Sequence, residues 1–243
     1  MGRAFQVRAA SMAATAAKKT KIYSRFGKEI YMAAKSGIPD PEMNLNLKRV
    51  IEKAKAAQVP NDVIKRNIDK AKGNTNEAYI ENRYEGFGPS GSTIIIDTLT
   101  DNSNRALSEI RTCFNRAKMN LGKTGSVSYL YDNVGILSFV GDEEELLDIL
   151  MMAEVDVIDL EADEDGYVTV YVSPTDLFKS KDAIEEAKGE TDFLILENRM
   201  LPQEKVTLID EDEITNFKKV LTLLDEVDDV QNVYHNVENI EEN

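Results

Sequence analysis

The sequence predicts an α+β protein: an N-terminal helical domain followed by two ferredoxin-like α/β modules, one inserted in the other. Three observations carry this reading. Apolar residues recur at helical spacing through residues 20–73, and from residue 92 strand-like and helix-like segments alternate. The block 134–199 reads β-α-β-β-α-β by itself, and removing it joins 92–131 to 204–235 in the same order.

The helical part resolves into three helices. Ile22, Phe26 and Ile30, flanked by Tyr23 and Ala34, keep three- and four-residue spacing, and Gly37 is a natural stop. Asp40-Pro41 has the form of an N-cap followed by proline at the first helical position. From there Leu47, Val50, Ile51, Ala54 and Ala57 mark a second stripe. Pro60-Asn61-Asp62 restarts the chain, and Val63, Ile64, Ile68 and Ala71 form a third stripe ending at Gly73. Residues 74–82, polar and containing Gly-Asn-Thr-Asn from 73, read as a linker.

The body follows. A strand over 92–100 leads to a helix over 105–118 with Ile110, Cys113, Phe114 and Ala117 inward, then a strand over 125–131. The next block is strand 134–140, helix 142–153, strands 155–161 and 167–173, helix 174–188 and strand 191–199. Strand 204–209, helix 211–227 and strand 230–234 complete the outer module. Right-handed crossovers place both helices of a module on one sheet face and make the first and last portions of the body neighbours in space. The expected domains are therefore 1–75, a discontinuous 76–132 plus 202–243, and an inserted 133–201.

Charge is sorted along the same boundary. Residues 1–75 carry 16 Lys+Arg against 6 Asp+Glu, and residues 76–243 carry 13 against 38, so a net charge of −15 hides a cationic head on an anionic body. A dense positive segment attracts phosphate polymers, while an acidic body repels them and restricts where contact occurs. Lys18, Lys21, Arg25, Lys28 and Lys35 keep helical spacing and, with Lys19, form one candidate ridge; Arg3 and Arg8 precede it. These eight residues are the candidate nucleic-acid contacts. Tyr23 and Phe26 are interleaved with them, although Phe26 belongs to the apolar stripe. The head lacks a clear helix-turn-helix spacing, so nothing in it encodes base readout. The acidic run 142–165 is either a solvated face or a patch for a basic protein.

Composition sets aside several other classes. One cysteine, Cys113, excludes an intrachain disulfide, and no apolar run reaches the length of a membrane span. The first 28 residues, basic and free of acid, fit either a mitochondrial transit peptide or a retained basic arm. Gly86-Phe87-Gly88-Pro89-Ser90-Gly91 matches a dinucleotide string but precedes a strand, and Pro89 removes an amide, so a tight turn is expected. Gly122-Lys123-Thr124 ends like a phosphate loop whose first glycine would fall at Ala117 within a helix. Glu161-Ala162-Asp163-Glu164-Asp165-Gly166 resembles the start of a calcium loop but has Glu where the first Asp belongs and Val172 in place of the closing glutamate, so Asp165-Gly166 reads as a hairpin turn. His235, the single histidine, and Cys113 have no nucleophilic or metal-ligating constellation around them. The polar cluster Asp101, Asn102, Asn104 and Arg105 is read as helix capping and a structural network. The expectation is no enzyme, no cofactor, no metal and no small-molecule substrate.

Three strings carry a resemblance: Tyr84-Glu85-Gly86-Phe87-Gly88-Pro89-Ser90-Gly91, Leu99-Thr100-Asp101-Asn102-Ser103-Asn104-Arg105, and Asn120-Leu121-Gly122-Lys123-Thr124-Gly125-Ser126-Val127. Lys21-Ile22-Tyr23, Pro39-Asp40-Pro41, Asn44 and Val59-Pro60 in the head agree with them. Together they resemble the YebC/PmpR family, whose mitochondrial relatives include the translational activator of cytochrome c oxidase subunit I. The resemblance implies a cytoplasmic, three-part, non-enzymatic protein. It also implies either a DNA-binding transcriptional regulator or a ribosome-associated factor that binds ribosomal RNA and eases synthesis of difficult, proline-rich stretches. The opening Met1-Gly2-Arg3-Ala4-Phe5-Gln6-Val7-Arg8 is similar to the YeeN-type branch rather than to the usual Gly-His-Ser-Lys-Trp-Ala-Asn start, and it argues against cleavage of the head. DNA and ribosomal RNA both stay open as targets.

Overall fold

The structure, a computed structural model, describes residues 19–73 and 78–240. The head consists of α1 (Lys19–Lys35), α2 (Leu45–Ala56) and α3 (Asn61–Lys72). The apolar stripes read from spacing supply the buried faces, with Phe26, Ile30 and Ala34 on α1, Leu47, Ile51 and Ala54 on α2, and Val63, Ile64, Ile68 and Ala71 on α3. Ile22, Tyr23, Val50 and Ala57 are half-buried, and Tyr31, outside the stripe, is buried. One cap differs from expectation. Asp40 closes a turn of its own, its carboxylate accepting the Glu42 amide at 3.0 Å, and the N-cap of α2 is Asn44. Asn44 Oδ1 accepts the Leu47 amide (3.0 Å), while its Nδ2 donates to the carbonyls of Ala33 and Ile38 (2.9 Å each). A carboxylate cannot donate, so only an amide side chain serves both helices here.

The body contains β1 (Ile80–Phe87), β2 (Thr93–Thr100), α4 (Ser103–Arg116), β3 (Asn120–Leu121), β4 (Tyr131–Val140), α5 (Glu143–Met152), β5 (Val157–Ala162), β6 (Tyr167–Val172), α6 (Leu177–Lys188), β7 (Ile195–Pro202), α7 (Glu211–Asp225) and β8 (Val230–His235). They build two four-stranded sheets, ordered β3-β1-β2-β8 and β5-β6-β4-β7. The second order is that of a ferredoxin-like module. Leu137 pairs with Val170 and Phe139 with Val168, and these side chains pack with Leu146 and Leu150 of α5 and Leu177 and Ile184 of α6. Both helices thus cover one face. Asp163 and Gly166 close the β5–β6 hairpin as expected, with the Asp163 carboxylate accepting the Asp165 and Tyr167 amides (3.0 Å each).

The outer module has the same spatial arrangement with a different strand filling one position. No strand forms over 204–209; Val206 makes only an isolated bridge to Val237. Its place beside β2 is taken by β1, which pairs antiparallel from Ile80↔Thr100 to Phe87↔Thr93. This strand lies where a linker and a turn were expected. Its buried positions are Glu85 and Gly86, residue types depleted in strands, so no hydrophobic alternation announces it. Gly86 is required there: a Cβ would fall 2.1 Å from the Phe114 ring. The expected strand over 125–131 is instead a loop and a 3-10 turn, Ser128–Leu130, leading into β4.

β2 and β8 pair antiparallel, Ile94↔His235 through Thr98↔Val230, so the start and the end of the body are neighbours. Ile94 and Ile96 pack with Ile110 and Phe114 of α4 and Phe217, Val220 and Leu224 of α7, while Ile95 points to the opposite face with Val127, Tyr131 and Met200. Each such fully buried side chain stabilises the fold by about 1.5–3 kcal/mol.

The chain forms two compact units: residues up to 75 with 133–199, and residues 76–132 with 200–241. Within the first, the head lies against the inserted module. Ala56 packs on the module's core, and Arg49 and Lys53 stand over the Phe178 ring at 5.0 and 5.7 Å. Buried Lys181 bonds Glu185 at 2.6 Å and lies 3.7 Å from Glu52 of α2. No described helix is long and apolar enough to cross a membrane.

Candidate nucleic-acid interface

Of the eight candidate contacts, Arg3, Arg8 and Lys18 lie outside the described residues. The other five are all on α1 but do not share one environment. Lys19 and Lys35 are exposed, whereas Lys21, Arg25 and Lys28 are half-buried. Arg25 lies over the Phe26 ring at 4.8 Å and faces the charge group that joins the head to the inserted module. Burial pushes the Glu197 carboxyl up, but Arg199, Arg25 and Lys53 together outweigh it and hold it below the ordinary carboxylate range. Lys53 is shifted down by burial, against the opposing pull of Glu29 and Glu197. Arg25 therefore contributes charge to packing within this unit as well as to its surface.

The structure brings α1 and α3 together at their C-terminal ends. Lys35 Nζ donates to the Gly73 carbonyl at 3.3 Å, and Lys70 Nζ stands 5.3 Å above the Tyr31 ring. Lys35, Lys70 and Lys72 form a cationic cluster there, with Lys72 also bonding Asp69 at 2.8 Å. Lys48 and Lys55 on α2 and Lys65 and Arg66 on α3 are exposed as well. Of all these, only Lys35 belongs to the eight candidates read from the sequence. The signal for the others was present: each falls outside the apolar stripe of its helix. Lys35, Lys55, Lys70 and Lys72 stand in the last turns of their helices and also offset the helix dipole, which accounts for their local placement without a ligand.

In the second unit, the polar strings meet in two networks. Asn102 caps α4 by accepting the Arg105 amide at 3.1 Å. The Arg105 guanidinium reaches Asp229 at 2.8 Å and Asp101 at 2.7 Å, and buried Asp229 also accepts from Thr100 Oγ1 at 2.8 Å. Both carboxylates are engaged in holding the start of α4 to the chain before β8. The second network is centred on Glu85, which is only 2% exposed. Its Oε1 accepts from the Gly125 amide (2.8 Å) and Ser128 Oγ (2.5 Å), and its Oε2 from the amides of Val127 (2.5 Å) and Ser128 (3.1 Å). Burial raises the Glu85 pKa, but the bonds from Ser128, Gly125 and Val127 prevail and hold it below the usual range. The Gly122-Lys123-Thr124 segment is thus part of a loop whose amides turn inward to a carboxylate, not outward to a phosphate.

Cys113 is buried, its thiol pushed up by that burial, and the His235 and Phe217 rings stand nearly perpendicular with centroids 5.3 Å apart. Among the described residues, no three His, Cys, Asp or Glu side chains group to hold a metal ion.

Similarity to known proteins decides the family. The family model for the TACO1/YebC protein N-terminal domain matches residues 3–74, and that for the TACO1/YebC second and third domain matches residues 79–237. The chain belongs to the TACO1/YebC family. The family boundary near residue 75 coincides with the end of α3 and with the change of charge sign. A probable transcriptional regulatory protein of Acholeplasma laidlawii is 50% identical over 237 residues, covering 98% of each chain. One from Pseudoalteromonas translucida is 48% identical over 97% of this chain and 98% of its own. A crystal structure of a conserved hypothetical protein from Aquifex aeolicus is similar with a TM-score of 0.75 at 33% identity, covering 93% of each chain.

Proposed function

We propose that this member of the TACO1/YebC family is a non-enzymatic, cytoplasmic nucleic-acid-binding regulator, a DNA-binding transcriptional regulator whose helical head grips the phosphate backbone. The observation that carries the reading is the composition of the head's exposed surface. Among the described residues its exposed bases are mostly lysines, namely Lys19, Lys35, Lys48, Lys55, Lys65, Lys70 and Lys72, with Arg49 and Arg66 as the arginines. Lysine acts on phosphate as a point charge and carries little base information, so this surface is suited to positioning on a backbone. The relatives named as probable transcriptional regulatory proteins support the regulatory part. The acidic body limits contact to the head by repulsion. No cofactor or small-molecule substrate enters this reading.

The same lysine dominance favours a second reading, a ribosome-associated translation factor. Ribosomal RNA offers dense phosphate without any need for sequence readout, and the acidic modules suit basic ribosomal proteins. Binding to duplex DNA and to a ribosomal RNA fragment at matched salt, together with ribosome co-sedimentation, separates the two. Replacing Lys35, Lys70 and Lys72 by Gln should weaken whichever complex is physiological. Failure of the purified protein to bind either nucleic acid in low salt would overturn both readings.

A further inference from the structure

The buried carboxylate of Glu85 sits under a surface loop and uses both oxygens to fix it. Four donors from Gly125, Val127 and Ser128 converge on it, and the Gly122 amide donates to the Glu85 carbonyl at 2.7 Å. Gly122 itself lies under the Phe87 ring, where a Cβ would come within 3.0 Å. The outer side of this fixed loop carries an exposed lysine, Lys123, and an exposed Thr124. Tyr129, in the 3-10 turn held by Ser128, is 69% exposed, and Phe87 is 39% exposed. Tyr129 therefore offers a ring face to solvent from a fixed turn, and Phe87 offers part of its own.

Charge points the same way. Within the acidic body, residues 106–131 carry Arg111, Arg116, Lys118 and Lys123 against Glu109 alone. All four bases are exposed, and among the described residues none of them is in an ion pair. Elsewhere in the body Arg83, Arg105, Lys181, Lys188 and Arg199 are salt-bridged, whereas Lys218 and Lys219 on α7 are, like these four, in no ion pair among the described residues. Of these four, Lys118 and Lys123 flank β3, whose Asn120 pairs with Phe87, so two bases without an ion pair lie next to the strand that carries one exposed ring and on the loop that leads to the other. That combination stacks unpaired bases while tracking a phosphate backbone.

We propose that the Glu85-anchored loop is a second nucleic-acid contact, one that takes a single-stranded segment. Tyr129 and Phe87 stack on bases and Lys123 and Lys118 meet phosphates. Glu85 is a positioning residue that holds the loop open for this. The proposal rests on the nucleic-acid reading above but assigns a different surface and a different strandedness. A duplex keeps its bases stacked on one another and leaves these rings nothing to cover.

The test uses the full chain and fluorescence anisotropy with three probes: a labelled oligouridine RNA about twelve nucleotides long, a DNA of matching length, and a DNA duplex. Tyr129→Ala should weaken binding to both single strands about tenfold, and duplex binding by less than about twofold, as loss of one stacking platform requires. Tyr129→Phe keeps the ring and should restore affinity. Lys123→Gln should flatten the salt dependence on the single strand by about 0.7 in slope. Glu85→Gln should reproduce Tyr129→Ala, with circular dichroism checking that the fold survives. A stronger effect on RNA than on DNA identifies RNA as the source of the strand. Tyr129→Ala and Lys123→Gln binding every probe as the parent protein does would overturn the proposal, even where Lys35, Lys70 and Lys72 replacements weaken duplex binding and so uphold the head. Loss confined to the loop variants would uphold the loop and overturn the head. Absence of binding to every probe would overturn both.

Discussion

Glu85 Oε2 lies 2.5 Å from the Val127 amide nitrogen, joining a buried strand carboxylate to a loop more than forty positions later in sequence. A buried carboxylate persists as a charge only where donors replace its water, and here four do so. Glu85→Ala should therefore cost about 2–4 kcal/mol, because it strands several backbone donors. Urea unfolding measures this, and a loss below about 1 kcal/mol would show that water replaces the carboxylate at little cost. The pH dependence has a definite sign. The folded pKa is depressed below the ordinary 4.5, so the folded state binds fewer protons than the unfolded chain in that range. The stabilisation is complete above the unfolded pKa and is lost as pH falls through the folded one. Acid unfolding of Glu85→Gln should be less steep than that of the parent chain.

Tyr131 makes the opposite case on the alkaline side. Its hydroxyl and that of Thr93 lie 2.8 Å apart, and burial pushes its pKa up to about 12 from 10, against the smaller opposing effect of the Thr93 bond. The neutral phenol is what the fold favours. That contribution is full below pH 10 and lost as pH rises towards 12. Tyr131→Phe should lower stability by about 1 kcal/mol at neutral pH and remove this part of the alkaline decline. Denaturant melts at neutral and alkaline pH test both statements, and an unchanged alkaline limb would refute the second.

Asn44 binds two helices through one amide. Asn44→Asp keeps the cap to Leu47 but cannot donate to the carbonyls of Ala33 and Ile38, while Asn44→Ala loses all three bonds. The Ala variant should lose about 1–2 kcal/mol. The Asp variant should fall between it and the parent chain. Equal stability of Asp and Asn forms would mean that only the cap matters.

The cluster at the shared ends of α1 and α3 should act on binding rather than on folding. Lys70 and Lys72 are exposed, so replacing Lys35, Lys70 and Lys72 by Gln should change stability by less than about 1 kcal/mol. For a duplex, each phosphate that the variant leaves unneutralised should reduce the slope of log K against log salt by about 0.9. An affinity and slope equal to those of the parent chain would remove this cluster from the interface.

Helix stripes were legible in the sequence because a helix buries one face, and that face repeats locally. Ile30, Leu47 and Ile68 could each be placed from neighbours within four positions. The same locality made the charge division and the β-α-β-β-α-β block legible, since Leu137, Phe139, Val168 and Val170 alternate within their own strands. β1 was not legible, because what pairs with it decides its role. Glu85 and Gly86 are buried by Phe114 and Val127, both remote in sequence, and a segment with a charged and a side-chain-free buried position shows no period. The strand expected over 204–209 failed for the complementary reason: its place in the sheet was already filled by β1.

The candidate site divides along the same line. By itself the sequence determined that positive charge is concentrated before residue 75 and that three strings place the chain among the relatives it proved to match. Both are properties of residue order. Only the tertiary structure decided which of those charges face outward. It turned Arg25 towards Glu197, gathered Lys35 with Lys70 and Lys72, and anchored the 122–128 loop on Glu85. Burial and ion pairing depend on partners brought together by folding across tens of positions, and no local period records them.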